Sequence, residues 1–95
     1  MKIEVLHESA TPFKLHLAEQ AVERALQAAA VTPDECYAAE AAMLDWEDGE
    51  HEEPFKPTPA QKRALDALSL AEQSANEALG VKHGEPGAML DWVES

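Results

Sequence analysis

This chain has a single cysteine, four glycines, five aromatic residues and only seven lysines and arginines against nineteen aspartates and glutamates. Each shortage excludes something. With Cys36 alone no internal disulfide can form, which suits a reducing compartment. The glycines, Gly49, Gly80, Gly84 and Gly87, make neither a phosphate-cradling loop nor a dinucleotide-binding pattern. The scarcity of cations, with a formal net charge of −12, argues against direct binding to DNA, RNA or an anionic membrane, all of which need a cationic footprint. It favours partners with positive surfaces instead. Long apolar runs are missing as well. No stretch approaches the roughly eighteen residues of a membrane span, and charges occupy the start, Met-Lys-Ile-Glu-Val-Leu-His-Glu-Ser, where a signal peptide would be apolar. The expectation is a cytoplasmic protein.

What the sequence has in quantity is alanine. Eighteen of its 95 residues are Ala, so the hydrophobic share of 45% contains few large side chains. The length fits a single domain spanning 1–95 with a thin core. Such a core is often completed by pairing with a second copy, which makes a homodimer a reasonable expectation despite the repulsion that −12 imposes.

Three Thr-Pro pairs mark helix starts, at Thr11-Pro12, Thr32-Pro33 and Thr58-Pro59. Threonine caps the orphan amides of a first turn, and proline at the first helical position loses only a bond that would be missing anyway. Glu35 and Gln61 stand three residues after Thr32 and Thr58, the capping-box spacing. The spacing predicts helices over about 12–30, 33–47 and 59–79, stopped in the last two cases by Gly49 and Gly80. In the first, Leu15, Ala18, Val22, Ala25, Leu26 and Ala29 share a face; in the second, Cys36, Ala39, Met43 and Trp46; in the third, Leu65, Leu68, Ala71, Ala75 and Leu79. Residues 2–7 alternate as a strand would, but a lone strand finds no partner in a chain read this way and is expected to be merely extended. Residues 47–57 read as a solvated acidic loop, and 82–87 as a turn before an irregular C-terminal segment. The predicted class is all-α, a small bundle of about three helices.

The sequence repeats itself. Leu17-Ala-Glu-Gln-Ala-Val-Glu-Arg-Ala-Leu26 resembles Leu70-Ala-Glu-Gln-Ser-Ala-Asn-Glu-Ala-Leu79, and Ala42-Met-Leu-Asp-Trp46 recurs unchanged as Ala88-Met-Leu-Asp-Trp92. Both tryptophans lie in the second repeat. In a helix Met43 would share a face with Trp46, and Met89 with Trp92, giving two similar apolar anchors.

No constellation for catalysis can be assembled, and a non-enzymatic protein without cofactor or metal is expected. Cys36 near a helix start is opposed as a nucleophile by Asp34 and Glu35, and reads as a buried structural thiol. His7, His16, His51 and His83 lack metal-ligand spacing, and Gly49 is misplaced for a calcium loop opening at Asp45. Recognition of another macromolecule remains. The preferred reading is a docking module or antagonist that meets a basic surface or apolar groove of another protein. Its candidate contacts are Met43, Leu44, Trp46, Glu47, Asp48, Glu50, Glu52, Glu53, Met89, Leu90, Asp91 and Trp92. An alternative is a nucleic-acid mimic whose carboxylates fill a phosphate-binding groove; in size and charge alone, this resembles the small acidic inhibitors that bacterial viruses direct against host nucleases and CRISPR complexes. The plainest alternative is a homo-oligomeric structural protein.

Overall fold

A computed structural model describes residues 1–94. Each Thr-Pro pair opens a helix: α1 is Pro12–Ala28, α2 is Pro33–Asp48 and α3 is Pro59–Leu79. Thr11, Thr32 and Thr58 hold extended backbone, and their hydroxyls accept the amides of Lys14 (3.2 Å), Glu35 (3.2 Å) and Gln61 (3.1 Å). The side chains of Glu35 and Gln61 accept in return the amides of Thr32 (3.2 Å) and Thr58 (2.9 Å). Such caps contribute about 0.5–2 kcal/mol each, which fixes where α2 and α3 begin.

α2 and α3 stop at Gly49 and Gly80 as the spacing predicts, and only α1 ends early. α1 stops short of residue 30 because Ala30 turns left-handed (φ 56), with the Ala30 and Val31 amides bonded to the carbonyls of Gln27 and Leu26, each at 3.0 Å. α3 closes by the same motif, with Gly80 at φ 73 and bonds from Gly80 to Glu77 and from Val81 to Asn76. Glycine adopts this conformation freely, whereas alanine loses about 1 kcal/mol to it; burial of Leu26 and Val31 in one core holds the turn. Gly49 ends α2 in extended rather than left-handed backbone (φ −84, ψ 161).

α1 and α3 form the most extensive contact in the fold. They run antiparallel: Ala29, at the end of α1, lines a groove with Pro59 and Lys62, while Leu15, at its start, lines a cleft with Pro86, beyond the end of α3. On α3 the buried stripe is Ala64, Ala67, Ala71, Ala75 and Leu79, which lets neighbouring backbones approach closely. Leu65 and Leu68, predicted to lie on this face, are only partly buried at its margin. The repeated helix block uses equivalent positions in both copies: Ala18, Val22 and Leu26 on α1 correspond to Ala71, Ala75 and Leu79 on α3, and all six are buried. α2 adds Cys36 and Ala39, and the largest fully buried side chains are Val5, Val22 and Cys36.

The all-α expectation is corrected by a small sheet. β1 (Lys2–Leu6) pairs antiparallel with β2 (Met89–Val93), in the register Lys2↔Val93, Ile3↔Trp92, Glu4↔Asp91, Val5↔Leu90 and Leu6↔Met89. The partner missing for the first strand is thus the segment expected to be irregular. Met89–Trp92 is a strand rather than a helix end, because its backbone is paired with β1, and the Ala88 amide just before it is held by Asn76 Oδ1 at 2.7 Å. Gly87 permits that approach, since a Cβ there would stand 3.3 Å from the same oxygen. Ile3, Val5, Leu90 and Trp92 face the helices, leaving the opposite face of the ribbon uncovered. The protein is mostly helical, with three helices and two strands among the described residues.

Candidate binding surfaces

One identical pentapeptide therefore adopts two conformations. In α2, Met43 and Trp46 share a half-buried face and Leu44 points out, 48% exposed beside Asp45. In β2 the alternation of a strand reverses the choice: Leu90 and Trp92 turn inward, while Met89 (69% exposed) and Asp91 turn outward. The expected Met89–Trp92 shared face does not form, and the two copies present different apolar residues, Leu44 and Met89.

Both tryptophans are engaged by the protein itself. Trp92 packs edge-on against Tyr37 (centroids 5.5 Å apart, 77° between planes), and its indole N–H donates to Glu40 Oε1 at 3.4 Å. Trp46 stacks on His51 with centroids 3.6 Å apart and planes 7° from parallel; Phe55 flanks it at 6.5 Å and its indole N–H donates to the Glu53 carbonyl at 3.1 Å. The acidic segment read as a free loop is thus folded back over Trp46.

Glu47 and Asp48 form the last turn of α2, where no basic residue offsets the negative end of the helix dipole, and Glu50, Glu52 and Glu53 follow in the fold-back. Between Asp45 and Glu53 stand six carboxylates and no lysine or arginine. Glu53 makes the one side-chain ion pair among the described residues, with Lys56 at 3.6 Å.

Two open clefts are lined almost wholly by residues not singled out from sequence as candidate contacts, Met89 being the exception. One, of about 570 Å³, continues the exposed sheet face at Leu6 and Met89 and is walled by Leu15 and Pro86. His7 Nε2 donates to the Pro86 carbonyl at 3.1 Å, tying its two sides together. The one signal for it in the sequence is the alternation of residues 2–7, which gains meaning only once Leu6 is set opposite Met89. The other cleft, about 420 Å³, lies between the end of α1 and the first half of α3, with Lys62 and Arg63 beside Leu70.

Cys36 is buried, its thiol donating to the Ala64 carbonyl at 3.5 Å. Burial first, then the nearby charges of Glu35 and Glu40, push its pKa up to about 11, so the thiol stays protonated at neutral pH. No group of three or more His, Cys, Asp or Glu side chains is placed to hold a metal ion among the described residues, and no helix there is long and apolar enough to cross a membrane. Comparison with protein-family models, with curated proteins and with solved structures gives no match.

Proposed function

We propose that the protein acts without catalysis, by docking on a positively charged surface of another protein through the end of α2 and the segment folded over Trp46. The observation that supports this reading is the shaping of the acidic segment. Six carboxylates with no interspersed cation flank in sequence an indole that the stack with His51 and the bond to the Glu53 carbonyl hold in place, and exposed Leu44 supplies an apolar contact in the same segment. Such a field speeds encounter with a cationic partner, and the apolar residue then slows departure.

The test begins with capture of the partner from the native host and its identification by mass spectrometry. Reversal of Glu50, Glu52 and Glu53 to Lys is then expected to slow association at least tenfold at low salt and to flatten its salt dependence, with an unchanged melting temperature. Unchanged association would remove the segment from the interface. A second reading, in which the same carboxylates occupy a phosphate-binding groove, rests on the same absence of interspersed cations. Competition between this protein and a nucleic-acid duplex for the captured partner separates the two.

A further inference from the structure

The outer face of the β1–β2 ribbon carries a second pattern. Leu6 and Met89 stand opposite each other across the ladder, 41% and 69% exposed. Two residues further along each strand, Glu4 stands directly opposite Asp91. Like charges in that relation destabilise a ladder, and neither carboxylate has an ion-pair partner among the described residues. Asp91 Oδ1 accepts only the amide of its neighbour Trp92, at 3.0 Å. Beyond Leu6 and Met89 the face opens into the 570 Å³ cleft walled by Leu15 and Pro86, with exposed Glu8 and Glu85 also lining it.

We infer that this face docks a cationic amphipathic segment of another protein, with an apolar side chain entering the cleft beside Leu6 and Met89 and an arginine or lysine seated between Glu4 and Asp91. A cation there relieves a repulsion built into the ladder, and the apolar group covers two large side chains that the fold leaves in water. A second copy of this chain fits poorly, because its own Glu4, Glu8, Glu85 and Asp91 would meet the same four carboxylates. The geometry also sets the spacing. The two cross-strand pairs are two residues apart along a strand, about 7 Å, so the apolar anchor and the cation should stand at i and i+2 in an extended segment or at i and i+4 in a helix. This surface is distinct from the end of α2, and either can fail without the other.

The probe is an alanine-based helical peptide of about sixteen residues bearing Leu and Arg four positions apart, titrated into the full chain with amide shifts and affinity both recorded. Saturable shifts at Glu4, Leu6, Met89 and Asp91 are expected. Met89→Ser should weaken binding tenfold or more, and Glu4→Gln with Asp91→Asn should do likewise and reduce the salt dependence. All three positions are exposed, and melting curves confirm that the fold is kept. Reversal of Glu50, Glu52 and Glu53 should leave this affinity within about twofold, which separates the sheet face from the acidic segment. Shifts confined to residues 45–53, or full affinity in Met89→Ser, would overturn the inference. So would a dimer, seen by sedimentation, that Met89→Ser dissociates, since the occupant would then be a second copy.

Discussion

Gly49 leaves the space in which the His51 ring lies: a Cβ at Gly49 would stand 2.7 Å from His51 Nε2. The glycine that ends α2 is therefore required by the stack on Trp46 rather than by a left-handed turn. Gly49→Ala should push the imidazole off the indole, and His51→Ala should remove it. Both variants are expected to make Trp46 more accessible to acrylamide in a Trp92→Phe background, and each should lower stability by about 0.5–1.5 kcal/mol, the scale of one aromatic pair. Unchanged quenching would mean that the stack does not hold the acidic segment.

The two tryptophans should separate on stability. Trp92 faces the core side of the ribbon against Tyr37 and Glu40, so Trp92→Ala should cost about 3 kcal/mol and loosen β1 along with β2. Trp46 lies over a surface segment, and Trp46→Ala should cost about 1 kcal/mol while releasing residues 49–55, visible as faster amide exchange there. Equal losses would place both rings in the core.

Cys36 gives a prediction in pH. Its folded pKa of about 11 lies above the ordinary 9.0, so the folded state holds this proton more tightly than the unfolded chain does. The resulting stability is fully present below pH 9 and falls as pH rises through about 11, by on the order of 2–3 kcal/mol. Denaturant melts between pH 8 and 11 on the wild type and Cys36→Ala should show a slope in the first that is smaller in the second. At pH 8 iodoacetamide should label the thiol only after denaturant is added.

The helix starts were legible because a cap is complete within four residues: Thr32 and Glu35, or Thr58 and Gln61, contain both halves of the interaction. β1 was legible as an alternation and not as a strand, since its partner lies at the other end of the chain. The repeated pentapeptide shows why local reading stops there. Ala-Met-Leu-Asp-Trp has one set of intrinsic preferences, yet it is helical after the alanines of α2 and extended after Pro86 and Gly87, where Ile3 and Val5 wait to be covered. The candidate contacts shift accordingly. Leu44 and Met89 are the exposed apolar members, Leu90 and Trp92 turn inward, and Leu6 entered only with the register of the sheet. Nothing in the sequence links His51 to an indole five residues earlier, so local pattern leaves it in a solvated loop.

The antiparallel contact of α1 with α3 joins the two helices that carry the repeated block, with equivalent residues buried on each. Two separate molecules each carrying one such block would meet in that way about a two-fold axis, as isologous dimers do. Here the two halves of the handshake are joined by α2 and share one chain. The smooth alanine surface that would invite self-association is consequently closed off from within, and any contact with a second molecule has to be made by residues outside the duplicated stripe.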